Sequence, residues 1–180
     1  MEGANLAGRT DVTALLMGVR RGSPEALAAL YRATGPLVFG VARRITGNDS
    51  DAQDVTQDVF LGLPEALAGF EGRGSFEGWL KKVAARTALM RLRAQRQARG
   101  LDNGRIAPVR DHAGAIVDRI DLERAVARLP ETLRLVFVLK EVEGHSHTET
   151  ARLLGITRGA SEVRLFRARK MLTRMLEGTR

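Results

Sequence analysis

The stretch GLDNGRIAPVRDHAGAIV, residues 100–117, limits what this chain can become more than any other. It holds three glycines, one proline and an Asp-Asn-Gly turn, and the helical spacing of apolar residues stops before it and resumes after it. Glycine raises the entropy cost of regular structure and proline lacks the N–H that a helix needs, so a linker of low order is expected. A linker there divides 180 residues into two pieces, each the size of one small domain. The expected boundaries are 1–99 for the first domain, 100–117 for the linker and 118–180 for the second domain.

Composition then decides what the two cores are made of. Hydrophobic residues are 44% of the chain, yet only six Phe, one Trp and one Tyr are among them. Cores built from Leu, Val and Ala suit helices, and no run shows the alternation of a strand. The fold class expected is therefore all-α: two small helical domains joined by a flexible linker. Cysteine is absent, which excludes disulfides, thiolate metal sites and cysteine nucleophiles and suits a reducing compartment. The N-terminal MEGANLAGRTD has neither the basic start nor the apolar run of a signal peptide, and no apolar run approaches the roughly 18 residues of a membrane span. A cytoplasmic chain without membrane insertion is the expectation. A net charge of +8 favours a polyanionic partner, although solubility would account for it equally well.

From Asp11 to about Arg99 the spacing predicts four helices. Ser23-Pro24-Glu25 supplies a cap, a proline at the first helical position and an acid in the first turn. Apolar residues then recur at Leu27, Leu30, Leu37, Val38, Val41 and Ile45 until Gly47. A third helix starts near Asp49 and a fourth at Ser75, with the irregular turn FEGRGS between them. In the third, Asp51, Asp54 and Asp58 share one face and Ala52, Val55 and Val59 another. Such a run is more often a solvated face than a cation site, and no second set of ligands accompanies it, so no metal and no cofactor is expected. In the fourth, Lys82, Arg86, Arg93 and Arg96 form a stripe, with Phe76, Trp79, Leu80, Val83 and Met90 about a quarter-turn away. Seven basic residues and no acid between Gly78 and Gly100 exceed what solubility needs, and tracking of phosphates is the better account.

The second domain carries a sharper pattern. Apolar spacing at Leu122, Val126 and Leu129 gives one helix, and Pro130 starts another that runs to Gly144. TETARLLGIT then reads as a short helix, a tight turn through Gly155 and a cap at Thr157. Small Ala151 permits a close helix crossing, with Leu154 and Ile156 filling the angle. On the last helix, Leu165, Ala168, Met171, Leu172, Met175 and Leu176 share one arc at 100° per residue, while Glu162, Val163, Phe166, Arg167, Lys170 and Arg174 share the other. This is a helix-turn-helix within a four-helix domain, its last helix suited to the major groove. Exposed Val163 and Phe166 suit thymine methyls or sugar carbons. A helical hairpin with a solvated basic face is the blander reading. His145 and His147, two residues apart, are expected to be exposed turn residues rather than metal ligands.

ALYRATGPLVFGVARRITGNDSDAQDVTQDVF followed by FEGRGSFEGWL resembles the polymerase- and promoter-binding domain of extracytoplasmic-function sigma factors. ARLPETLRLVFVLKEVEGHSHTETARLLGITRGASEVRLFRARKML resembles their C-terminal promoter-binding domain. The resemblance implies a non-catalytic factor that binds core RNA polymerase and promoter DNA, melts the promoter and is held by an anti-sigma factor. It implies that Asp54, Gln57 and Asp58 dock on the polymerase. The turn from Phe70 to Phe76, with Arg73 and Ser75, and the following Lys82, Arg86 and Arg93 would open and read the minus-ten element. The helix from Arg158, with Ser161, Glu162, Val163, Phe166, Arg167 and Lys170, would read the minus-thirty-five element.

Three positions depart from the family pattern. Pro64 stands inside an expected helix and predicts a kink or restart near Leu63. Arg86 and Met90 replace the usual Asn and Asp, and Glu162 a residue that is often basic, so promoter preference does not carry over. A polymerase-independent helix-turn-helix regulator would explain the second domain but not the acidic third helix. A nuclease built on Asp51, Asp54 and Asp58 is the enzyme alternative.

Overall fold

The computed structural model describes residues 4–98 and 119–177, so the linker expected at 100–117 lies outside the described residues. Among the described residues every regular element is helical. Backbone proximity divides the chain into two units: residues 1–43 with 49–87, and residues 44–48 with 88–180. The division falls inside the helix Phe76–Ala98, whose residues from 88 onward are grouped with the second unit.

Helices α1 (Ala4–Arg20), α2 (Pro24–Thr46) and α3 (Asp49–Leu61) open the chain. Ser23 caps α2, its hydroxyl accepting from the Ala26 N–H at 3.2 Å. It also donates to Glu25 at 2.8 Å. Hydrogen bonds from the backbone and from Ser23 hold the Glu25 carboxyl below its ordinary range. Pro36 lies within α2 and deletes one bond of its ladder. The helix continues because buried Leu30 precedes Pro36 and buried Val38 and Val41 follow it on the core face. Gly47, at φ +83°, then ends it in a conformation that only glycine adopts without strain.

The expected interruption at Pro64 is a restart. Helix α3 stops at Leu61, the Gly62 N–H closes back on the Asp58 carbonyl at 3.0 Å, and a one-turn helix α4 (Leu63–Ala66) begins. Pro64 sits in its first turn, where the missing N–H has no intrahelical partner to lose. A 3₁₀ turn over Leu67–Gly69 follows, and after the loop comes α5 (Phe76–Ala98). Five helices therefore stand where four were expected. The core of this unit joins Leu16 and Val19 of α1 to Leu30, Val38 and Val41 of α2. Ala52, Val55 and Val59 of α3, then Leu63, Leu67, Leu80 and Ala84, complete it.

In the second unit α9 (Arg158–Glu177) packs against α6 (Arg119–Arg128), α7 (Glu131–Phe137) and α8 (His147–Leu154). Leu129, Val136, Val138 and Leu139 are fully buried, each contributing about 1.5–3 kcal/mol by leaving water. Leu122, expected to face inward, is instead 48% exposed. The segment after Pro130 is not uniform, since α7 gives way to a π-helical turn over Val138–Val142 before Gly144 reverses the chain at φ +75°. Arg134 is buried on α7, and burial pulls its guanidinium below the usual arginine range, against the opposing pull of Glu131.

Candidate nucleic-acid interface

Local sequence builds the helix-turn-helix. Ser146 and Glu149 form a reciprocal capping box, with the Ser146 hydroxyl accepting from the Glu149 N–H at 3.2 Å and the Glu149 carboxylate accepting from the Ser146 N–H at 2.8 Å. Helix α8 closes on Gly155 in the left-handed region, at φ 66° and ψ 37°. Two residues later Thr157 caps α9, accepting from the Ala160 N–H at 3.1 Å. Ala151 is buried at the crossing, with Leu154 and Ile156 half-buried beside it.

The two arcs of α9 separate as expected. Leu165, Ala168 and Leu172 are buried, and Met171, Met175 and Leu176 are half-buried. Arg158, Glu162, Val163, Phe166, Arg167, Lys170 and Arg174 are exposed. Val163 at 50% and Phe166 at 67% exposure stand in water among cations, and such a placement costs free energy unless a partner covers it.

Ser161 does not belong with them. It is fully buried, and its hydroxyl lies 3.0 Å from the His147 ring nitrogen Nδ1, which ties α9 to the start of α8. The expectation that it faces DNA is corrected: it stands four residues before Leu165, on the inner arc. The histidines are corrected as well, because His145 is buried and His147 is half-buried in that contact. Glu162 lies beyond the first turn of α9 and pairs with Arg158 one turn back at 2.9 Å.

The loop between the 3₁₀ turn and α5 presents Glu71, Arg73 and Ser75 to solvent, with Glu71 and Arg73 paired at 3.0 Å. Gly72 and Gly74 both have positive φ, at 74° and 85°. Ser75 caps α5 through the Gly78 N–H at 3.1 Å. At the loop's base three rings meet: Phe70 against Phe76 at 5.7 Å, Phe70 against Trp79 at 5.2 Å, and Phe76 against Trp79 at 5.7 Å between centroids. Phe76 is buried there, so it supports the loop from below and does not face DNA as expected. Phe70 and Trp79 are half-buried.

Along α5, Lys82 and Arg86 are exposed. Arg93, within the second unit, is exposed but donates to the Leu153 carbonyl, and half-buried Arg96 pairs with Glu131. Met90, expected on the apolar side, is 61% exposed. On α3, Ala52, Val55 and Val59 are buried while Gln57 and Asp58 are exposed and Asp54 is half-exposed. The acidic face is thus directed outward on a helix whose other face is fixed in the core.

This architecture, a helical unit with a surface loop and an acidic helix followed by a helix-turn-helix unit, is that of a two-region sigma-70 protein. The family model for Sigma-70 region 2 matches residues 30–98, and that for Sigma-70, region 4 matches residues 119–172. The chain is 29% identical over 168 residues to the ECF RNA polymerase sigma factor SigM of Mycobacterium tuberculosis, covering 93% of this chain and 85% of that one. It is 30% identical over 137 residues to the ECF RNA polymerase sigma-E factor of Escherichia coli K12, covering 68% of this chain and 72% of that one. The sigma factor RpoE in complex with the anti-sigma factor NepR from Bartonella quintana shares the fold, with a TM-score of 0.59 at 21% identity over 85% of this chain and 98% of that one. CnrH in complex with the cytosolic domain of CnrY gives a TM-score of 0.54 at 25% identity, over 93% and 98%. The chain belongs to the extracytoplasmic-function sigma factors.

Arg20 went unnoticed in the sequence. At the end of α1 it donates to carbonyls at the start of the loop just described, 47 and 50 residues downstream, and so leaves no local signal.

Proposed function

We propose that this chain binds core RNA polymerase through α3, opens and reads the minus-ten element with the Phe70–Ser75 loop and α5, and reads the minus-thirty-five element with the outer face of α9. It does so without catalysis of its own, in the cytoplasm where polymerase and DNA are, and an anti-sigma factor is its expected regulator. The carrying observation is the outer face of α9, where Val163 and Phe166 stay exposed among Arg158, Arg167 and Lys170 over a sealed inner face. Cations there fit phosphates and guanine edges, and the apolar pair fits thymine methyls.

Asp54, Gln57 and Asp58 suit a basic surface on polymerase, since like charges would cost several kcal/mol at such a contact. Lys82 and Arg86 supply sequence-independent attraction along a backbone. Exposed Arg93 can join them with the guanidinium donors that its bond to the Leu153 carbonyl does not use. No helix among the described residues is long and apolar enough to cross a membrane. The assignment of 1–99 and 118–180 as two separately acting domains, with 100–117 between them, is part of the proposal.

Run-off transcription with core polymerase on a library randomised at both promoter elements tests this reading. Transcription that depends on the chain and selects sequence at both elements is the expected result. Sequence-selective duplex binding with no effect on polymerase would replace it with a polymerase-independent regulator.

A further inference from the structure

We propose that Arg20 is a positioning residue for the promoter-opening loop, setting the direction in which the chain leaves the 3₁₀ turn. The proposal rests on the reading of that loop given above. Arg20 is the last residue of α1 and precedes the segment that the region 2 family model matches. One nitrogen of its guanidinium, Nη2, donates to two backbone carbonyls, Leu67 at 3.0 Å and Phe70 at 2.9 Å. Leu67 opens the 3₁₀ turn and is fully buried, while Phe70 ends it with an extended backbone at φ −88° and ψ 99°.

The Leu67 carbonyl already accepts the Phe70 N–H at 3.1 Å, so Arg20 takes up its second lone pair, and a cation at these carbonyls matches the negative end of the turn's dipole. Here a single atom bridges the first residue of the turn and the first residue beyond it, so it fixes the angle between them. The far end of the loop is held by the Ser75 cap and by Phe76, whose ring packs on those of Phe70 and Trp79, so the side chain of Phe70 shares the cluster while Arg20 holds its backbone. Between these two anchors, Glu71 to Ser75 are exposed, with glycines at positive φ on either side of Arg73. A loop held at both ends meets DNA with less conformational freedom left to lose.

The bond to Phe70 is exposed, so water can take over that carbonyl, and the part-buried Leu67 carbonyl keeps the Phe70 N–H when the arginine goes. Removing them should therefore disturb the loop far more than the fold. A lysine brings a compact, strongly hydrated ammonium on a flexible four-carbon stem in place of the planar guanidinium, so it should restore the two bonds only in part.

The experiment compares Arg20→Ala, Arg20→Lys and the loop variant Arg73→Glu, each with core polymerase. Strand opening is read by permanganate reactivity of promoter thymines, on a duplex promoter and on one carrying a mismatched minus-ten bubble. Core affinity and thermal midpoint are measured alongside. Arg20→Ala should lose opening on the duplex by about tenfold, a scale set by the sensitivity of such steps to misplacement. It should recover on the bubble and keep core affinity and midpoint, with Arg20→Lys in between. Normal duplex opening by Arg20→Ala while Arg73→Glu fails would overturn the role of Arg20 and leave the loop reading intact. Normal opening by both would overturn the loop reading and this proposal with it. Equal losses on duplex and bubble, or a loss that tracks core affinity or midpoint, would mean a general structural role and overturn the positioning assignment.

Discussion

Gly18 and Gly155 lack a side chain for different reasons, and a single substitution tells the reasons apart. A Cβ on Gly18 would stand 2.6 Å from the Ala26 Cβ, where α1 meets α2. Gly155 has open space around it but sits at φ 66°. Gly18→Ala should cost about 1–3 kcal/mol through overpacking, and Gly155→Ala about 1–2 kcal/mol through backbone strain. Asn tolerates the left-handed region, so Gly155→Asn should recover much of the loss while Gly18→Asn loses more. Chemical denaturation midpoints check both; equal recovery by Asn at the two sites would contradict the distinction. Glu162 poses a question of recognition. Its bond to Arg158 leaves one carboxylate oxygen for a cytosine amino group, so Glu162→Arg should shift preference at one minus-thirty-five position from cytosine to guanine. The shift should be worth about 1–3 kcal/mol of discrimination in a randomised promoter library. Uniform strengthening on every sequence would place the residue against phosphate instead. Ser161 marks where residue-level legibility failed. Its spacing from Leu165 and Ala168 puts it on the inner arc, but its polarity suggests the outer one, and burial followed the spacing.

Helices were readable wherever a cap and a period agreed. Ser23, Ser75 and Thr157 cap the helices expected after them, and Gly47 and Gly155 follow the last residues of α2 and α8. Pro64 foretold the break after Leu61, because proline is tolerated only in a first turn. Pro36 broke that logic, since core contacts on both sides outweigh its one lost bond. The Arg20 bonds had no periodic signal because their partners lie 47 and 50 residues away, and no spacing of apolar residues marked the π-helical turn at Val138–Val142. For α3 the two-sided pattern leads to a clean test. Reversing charge on the outer face leaves the buried Ala52, Val55 and Val59 untouched, and surface changes of that kind usually alter stability by less than about 0.5 kcal/mol. Asp54→Lys combined with Asp58→Lys should therefore keep the helical circular dichroism and thermal midpoint while abolishing measurable core binding. Wild-type affinity in the double variant would remove α3 from the interface.

Two recognition units in one chain raise the question of what either achieves alone. The cations on α9 and the Lys82–Arg86 stretch of α5 give each unit an attraction to any phosphate backbone. Each neutralised phosphate contributes about −0.9 to the slope of log affinity against log salt. On the proposed reading base-edge contacts would come from one helix and one short loop, so either half-site by itself would be weak. Joining two weak sites raises affinity only when their separation matches the separation of the targets. Residues 100–117, read as a linker of low order, would not set that separation. Polymerase would set it, by holding α3 and the DNA in one frame. The isolated chain should consequently bind duplex promoter DNA weakly, with steep salt dependence and no response when five base pairs are added between the two elements. In the presence of core polymerase the same insertion should abolish most transcription, because the two elements then lie half a helical turn out of phase. Fluorescence anisotropy of the chain alone and run-off transcription with core polymerase, on the same pair of promoters, check the two halves of this prediction. Tight binding by the isolated chain that collapses on insertion would mean that the chain carries its own ruler, and would locate it in residues 100–117.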